Sequence, residues 1–327
     1  MSTSVNAVER APGNWTPRAL LRRLAGGDEV AHIVTLIFAS AIIIITSLLV
    51  FQLWVNSGAS RHAFGWHFLV TSVWDPVFEH FGALPFIYGT MVTSAISLII
   101  ALPLGLAAAI FLAELAPRNI SDTISFLIDL LAAVPSVIYG LLGIFVVVPL
   151  MRTLIGPALK KVFGYLPIFS GPNYGVGFLT AGIVLAIMIV PYIISVSREV
   201  LLTVPRDQRE AALALGATRW EATWQVVVPW ARTGISGSVF LALARAIGET
   251  MAVTMVIGND PKISASLFAP GYTIAAVIAN EFTEATGKIY LSALIELGLV
   301  LFLITFILNG MARLLILATE RAGGRTA

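Results

Sequence analysis

The chain has 327 residues, of which 58% are hydrophobic and 12% are charged, and its mean hydropathy is +0.91. Soluble domains carry about 25% charged residues, so this composition indicates an integral membrane protein. A net charge of +2 gives no reason to expect a nucleic-acid partner, and the absence of cysteine excludes disulfides, thiolate metal sites and cysteine nucleophiles.

Six apolar segments follow an N-terminal tail, residues 1–30, whose prolines and glycines predict irregular structure. Each segment is long enough to cross a bilayer, which takes about 20 helical residues. The predicted spans are 31–55, 86–113, 124–150, 177–196, 233–257 and 291–317. The predicted fold is therefore an all-α integral membrane protein, with six transmembrane helices in residues 31–320 and a short C-terminal tail, 321–327.

The positions of Lys and Arg predict the orientation, because loops that stay inside carry the excess of positive charge. With the N-terminus inside, the inner segments hold Arg10, Arg18, Arg22, Arg23, Arg118, Arg198, Arg206, Arg209, Arg219, Arg232, Arg313, Arg321 and Arg325. The outer segments hold Arg61, Arg152, Lys160, Lys161, Lys262 and Lys288. Since the inner set is the larger, both termini are predicted on the cytoplasmic side.

The outer loops have features of their own. Residues 61–82 are rich in aromatic side chains, as expected at a headgroup boundary. Residues 271–282 are apolar but too short to span, which predicts an interfacial or re-entrant helix. The histidines of the first outer loop have spacings that match no metal motif, so no metal site is predicted. Asp129 and Glu296 lie near predicted membrane edges, where capping or headgroup contact explains them.

The inner loop 198–232 differs from the others because its local signals predict short helices. Thr203 is the predicted cap of a first helix that has Pro205 near its first turn, where a missing N–H costs little. The strong helix formers that follow end at Gly216, which suits a left-handed helix end.

A second helix is predicted directly after this glycine. Thr218 and Glu221, three residues apart, match a capping box, and the helix is predicted to stop at Pro229. Two helices with a glycine corner make a compact knob at the membrane face. The small alanines of the first helix favour a docking surface for a partner protein over an amphipathic loop that rests on the bilayer.

The knob has a specific resemblance. Glu210-Ala211-Ala212, Gly216 and the Val-x-Val-Pro stretch that ends at Pro229 resemble, in identity and spacing, the EAA loop of ABC-importer permeases. In that family the loop is the coupling helix, which sits in a cleft of the ATPase subunit. The resemblance implies a type I importer fold and assigns a role in ATPase coupling to Glu210, Ala211, Ala212, Gly216 and Pro229. Because the chain has no G-x-x-x-x-G-K-[ST], the ATPase must be a separate subunit.

The fifth predicted span contains Arg245 and Glu249. A central Arg costs about 2.5–3.5 kcal/mol to insert, so ionisable groups in a span mark function by default. Four residues apart on one helix, the two side chains are predicted to share a face and pair. One interpretation is an ion pair that holds the bundle together. The other is an oxyanion site, because a guanidinium binds tetrahedral anions through two parallel donors.

Two further stretches resemble the phosphate-specific transport (Pst) permeases. RAIGETMAVTMVIGN, residues 245–259, resembles their fifth-span signature, and VPSVIYGLLG, residues 134–143, their third-span motif. The sister subunit reads G-E-T-A-P-L where this chain has G-E-T-M-A-V, which indicates the PstC-like half rather than the PstA-like half. The resemblance implies import of inorganic phosphate across a bacterial inner membrane, with Arg245, Glu249 and Thr250 on the substrate path.

The resemblance also implies partners. These are a PstA-like permease subunit, a PstB-like ATPase homodimer that uses ATP and Mg²⁺, and an extracytoplasmic phosphate-binding protein that docks on loops 56–85, 151–176 and 258–290. The chain itself is predicted to bind no cofactor and to carry no catalytic residue. Two alternatives stay open: an importer of another oxyanion, such as sulfate or phosphonate, and a non-transporting membrane scaffold or sensor.

Overall fold

The computed structural model describes residues 28–323, and this part of the chain is mostly helical. The α-helices are α1 Asp28–Asn56, α2 Gly58–Phe64, α3 His67–Val70, α4 Leu84–Ile110, α5 Arg118–Ala132, α6 Ser136–Leu142, α7 Val148–Leu150, α8 Gly156–Phe163, α9 Phe178–Leu202, α10 Arg206–Ala214, α11 Arg219–Ala222, α12 Val228–Ile247, α13 Met251–Ile257, α14 Ile274–Glu281 and α15 Lys288–Gly323. Strands β1 Trp74–Asp75 and β2 His80–Phe81 pair as an antiparallel hairpin. Most of each predicted tail lies outside the described residues.

The described residues contain six helical runs that are long and apolar enough to cross a membrane, which confirms the predicted number. They are Val30–Asn56, Leu84–Leu115, Ser136–Phe163, Phe178–Leu202, Arg219–Ile247 and Lys288–Leu314. Of the described residues, 28–52 form one unit, which is part of helix α1, and 53–323 form the other. The packing described below belongs to the second unit.

The third span was predicted too early in the chain. Residues 118–132 form the separate helix α5, and the span itself is Ser136–Phe163. The break falls before Pro135, because a proline disfavours helical backbone at the residue that precedes it. Helix α5 is amphipathic and exposes Phe126 and Leu127. Half of the predicted outer loop 151–176 is consequently helix.

The second helix of the knob does not stop at Pro229 but continues into the fifth span, so that prediction was also wrong. A wider π-helical turn, Thr223–Val227, precedes the proline, and the helix runs on from Arg219 to Ile247. The same arrangement occurs twice in the third span, where π-turns precede Pro149 and Pro157. Such a turn re-routes the backbone hydrogen bonds at the point where proline lacks its N–H and its ring would clash.

Helix α9 is the centre of the second unit. Of its most apolar stretch 67% is buried, against 33% or less in the other spans. Small residues permit this close packing: a Cβ on Gly105 of α4 would lie 2.8 Å from Cγ2 of Ile193, and a Cβ on Gly182 of α9 would lie 2.4 Å from Cγ2 of Ile96. Helix α9 also packs against α5, against α6 at the start of the third span, and against α12 and α13, so it contacts both the third and the fifth span.

Candidate translocation and coupling sites

The first helix of the knob is α10, and its end is built as the sequence predicts. Gly216 has φ +90°, a left-handed conformation that glycine adopts without strain. Its N–H donates to the carbonyl of Leu213 at 3.0 Å, and the N–H of Ala217 donates to the carbonyl of Ala212 at 3.2 Å. These two bonds form a Schellman motif, which satisfies the last carbonyls of the helix.

The start of the second helix also matches the prediction. Thr218 accepts a hydrogen bond from the backbone N–H of Glu221, and the Glu221 carboxylate accepts one from the backbone N–H of Thr218 at 2.8 Å. This reciprocal pair is a capping box. Thr203, however, does not cap α10, because its hydroxyl donates back to the carbonyl of Val200 and Pro205 occupies the cap position.

The knob presents an open groove of about 560 Å³ that is lined by small and polar residues. Its lining residues include Ala211, Ala212 and Gly216, three of the positions predicted to couple to an ATPase. Leu215, at the tip of the corner, is 90% exposed. An open groove with an exposed leucine at its edge could accommodate a partner protein. The role of Ala211, Ala212 and Gly216 in ATPase coupling stays a prediction.

Arg245 lies in the last turn of α12, and its side chain is exposed. Its guanidinium carbon is 6.0 Å from the ring centroid of Tyr192 on α9, at the outer limit of a cation–π contact. The sequence reasoning missed Tyr192, whose only signal is a tyrosine beside a proline within an apolar span. An exposed guanidinium on a membrane helix needs a polar neighbour, such as a solute path or a second subunit.

Glu249 is not on the same helix as Arg245, contrary to the prediction. Helix α12 ends at Ile247 with Gly248 as its cap, and the chain turns before α13 begins at Met251. The Glu249 carboxylate accepts a hydrogen bond from the N–H of Ala252 at 3.2 Å and so satisfies the first turn of α13. In residues 28–323 no ion pair joins Arg245 to Glu249. The guanidinium is therefore not neutralised by this carboxylate.

Thr250 lies between helices α12 and α13, at the point where the predicted span 233–257 is broken. Its carbonyl accepts bonds from the N–H of Thr254 at 3.0 Å and from the Thr254 hydroxyl at 2.8 Å. Its own hydroxyl makes a long contact of 3.4 Å with the carbonyl of Gly248. Both Glu249 and Thr250 are half-buried beside the exposed Arg245, so the three predicted path residues stay together at the break.

The two stretches that resemble Pst permeases pack against each other. A Cβ on Gly140 of α6 would lie 3.2 Å from Cα of Ala252 on α13, and a Cβ on Gly143 would lie 2.6 Å from Cγ1 of Val256. Glycine at both positions lets the backbones approach closely. The third-span motif is thus the surface on which the segment after Arg245 rests.

One carboxylate links separate parts of the outer loops. Oε2 of Glu281 on α14 accepts hydrogen bonds from Nε1 of Trp74 and from the hydroxyl of Tyr290, each at 2.8 Å. This ties the β-hairpin to α14, the short helix predicted within 271–282. Burial raises the pKa of the neighbouring Tyr272 to about 12.

The remaining polar candidates have structural partners or lie buried. Residues 28–323 contain no group of His, Asp or Glu that could hold a metal. Asp129 accepts a hydrogen bond from the Ser195 hydroxyl at 2.8 Å, which links α5 to α9. Glu296 is only 6% exposed. The predicted contact of Glu296 with a lipid headgroup is therefore not present.

The fold has counterparts among solved structures. The permease of the MetNI methionine ABC transporter superposes with a TM-score of 0.55 and 16% identity, covering 76% of this chain and 99% of that chain. A bacterial alginate ABC transporter in complex with its pentasaccharide-bound periplasmic protein gives a TM-score of 0.56 and 15% identity, covering 90% and 98%. The architecture is therefore that of a type I ABC-importer permease.

Sequence comparisons narrow this class. Residues 101–320 match the family described as binding-protein-dependent transport system inner membrane component. The phosphate transport system permease protein PstC of Mesorhizobium japonicum is 46% identical over 310 residues, covering 94% of this chain and 95% of the relative. That of Haemophilus influenzae is 48% identical over 295 residues, covering 89% and 93%. A probable PstC of Methanocaldococcus jannaschii is 37% identical over 298 residues, covering 89% and 93%.

The chain belongs to the PstC family of phosphate transport system permeases. Proteins of this class are multi-pass components of the inner membrane that work with an ATPase and a binding protein. The expected family and fold are thus confirmed.

Proposed function

We propose that this chain forms half of the membrane path of an ATP-driven importer of inorganic phosphate. The observation that carries the proposal is the similarity to PstC permeases over 94% of the chain, a stretch that includes the exposed Arg245. A guanidinium matches the geometry of a tetrahedral oxyanion because it offers parallel donors in one plane. No carboxylate in the described residues occupies these donors, so they are available to a solute.

Glu249 and Thr250 complete the proposed path. The Glu249 carboxylate stands four residues from Arg245 and can accept a hydrogen bond from the P–OH of a protonated phosphate. Fully ionised sulfate has no such donor and is repelled. This difference favours phosphate over sulfate on chemical grounds.

The knob supplies the proposed coupling to ATP hydrolysis. Glu210, Ala211 and Gly216 are exposed, Ala212 is half-buried, and Leu215 projects beside them. This surface fits a cleft in an ATPase. Pro229 keeps its proposed place in the coupling: because it lies inside the continuous helical run Arg219–Ile247, we expect it to carry movement of the knob into the fifth span.

The proposed partners are a PstA-like permease subunit, a PstB-like ATPase homodimer and an extracytoplasmic phosphate-binding protein that docks on the outer loops. ATP and Mg²⁺ are proposed to bind the ATPase, because this sequence contains no phosphate-cradling loop. The chain itself then needs neither a cofactor nor a catalytic residue.

Uptake of labelled phosphate at low external concentration tests the proposal. Cells in which this chain is the essential permease subunit should take up phosphate, and excess unlabelled sulfate or phosphonate should not compete. Competition by either anion would assign the chain to that substrate instead. Uptake that is unaffected by deletion of the chain would indicate a scaffold or sensor.

A further inference from the structure

Arg209 lies on the coupling helix α10 next to Glu210, but its side chain points inward. Its guanidinium forms a forked ion pair with Glu114: Nε is 3.2 and 3.1 Å from the two carboxylate oxygens, and Nη2 is 2.7 Å from Oε1. The exposed fractions of the two side chains are 20% and 10%. Glu114 stands in the π-helical turn that ends the second span, Leu84–Leu115. The pair therefore joins the knob to a span 95 residues away.

The same guanidinium also holds the inner end of the fourth span. Nη2 donates to the carbonyl of Leu201 at 2.8 Å, and Nη1 donates to the carbonyl of Val204. Carbonyls in the last turn of a helix lack partners within it and attract positive charge. One side chain thus connects the coupling helix, the end of the second span and the end of α9.

An apolar cluster surrounds this joint. Leu112, Leu201 and Val204 pack with Val227 and Ala231 of the fifth span, all of them buried. The spans that meet at the joint are therefore packed together at the cytoplasmic end. Because these spans are packed together, a movement of α10 that Arg209 transmits would displace their inner ends together.

We propose that Arg209 and Glu114 form the joint through which a movement of the coupling helix reaches the second and fourth spans. This inference rests on the proposed function, in which a separate ATPase moves that helix. A planar fork that is held at two carboxylate oxygens resists rotation, whereas a lysine ammonium makes contact as a point charge. Arg209 is thus a positioning residue that keeps ATP hydrolysis and transport in step.

The test uses the complete transporter in proteoliposomes, with its binding protein, and measures labelled phosphate uptake and ATP hydrolysis in the same vesicles. Arg209→Lys should leave assembly unchanged and lower the phosphate moved per ATP by about tenfold, within the range for residues that carry coupling. Glu114→Gln and Arg209→Gln should lower this ratio similarly. The double variant should lose no more than either single one, because both changes break the same pair.

Arg118→Gln is the matched control. This arginine is exposed at the start of α5, four residues from Glu114, and its loss removes one positive charge from the same region. We expect the control to keep the wild-type ratio.

The outcomes separate the joint from the function on which it rests. An unchanged ratio in the Arg209 and Glu114 variants overturns the joint, and so does a parallel loss of uptake and hydrolysis with loss of assembled complex. If the wild type takes up no phosphate, the proposed function fails. The joint is then judged by whether the stimulation of ATP hydrolysis by the binding protein depends on Arg209.

Discussion

Substitution of Gly216 tests the predicted helix end in the knob. Glycine is required there by the backbone conformation and not by a lack of space for a side chain. A Cβ added there meets no atom within 4 Å, so Gly216→Ala introduces no clash. At φ +90° an alanine is strained, at a cost of about 1–2 kcal/mol. A destabilisation of this size increases the population in which the helix end is open by roughly 5- to 30-fold. The amide of Ala217, which donates to Ala212, should exchange its hydrogen faster by that factor.

Gly237 is the matched control for this change. A Cβ there also meets nothing within 4 Å, but the residue lies inside α12 without a positive φ. Alanine at this position should leave the exchange of the Ala217 amide unchanged and stabilise α12 by up to about 1 kcal/mol. Equal exchange rates in the two variants would refute the reasoning. In the assembled transporter, Gly216→Ala should also reduce the phosphate moved per ATP.

Two further changes test local structure. Thr218→Ala removes the capping box and should lower the stability of the helix start by about 1 kcal/mol. Hydrogen exchange of the Glu221 amide should then be faster. An unchanged exchange rate would show that the cap contributes nothing. Gly140→Leu overpacks the contact with Ala252, 3.2 Å from the added Cβ, and should destabilise the detergent-solubilised chain by about 1–3 kcal/mol. Gly310→Ala, with open space around its Cβ, is the control, and equal thermal midpoints would contradict this packing.

Structural features that depend only on a few consecutive residues could be predicted from the sequence. Hydropathy indicates the number of spans because a bilayer demands about 20 apolar residues in each. Gly216 and the Thr218 capping box follow from local backbone chemistry, and both are present. The family resemblance also rests on short motifs, and similarity over most of the chain confirms it.

Helix boundaries at prolines could not be predicted in the same way. Pro135 follows a helix break, whereas Pro229 lies inside a helix because a π-turn precedes it. Hydropathy carries no information on that turn. The pairing of Arg245 with Glu249 failed for a related reason, since Gly248 ends the helix between them. The Arg209–Glu114 pair joins residues far apart in sequence, so only the folded structure reveals it.

The central claim is that Arg245 lies on the path of phosphate. Its most direct test is uptake of labelled phosphate at low external concentration by the wild type, Arg245→Lys and Arg245→Ala, with equal amounts of assembled transporter. We expect partial transport with lysine, which keeps the positive charge without the planar guanidinium, and none with alanine. Normal transport by both variants would contradict it and leave Arg245 only a structural role.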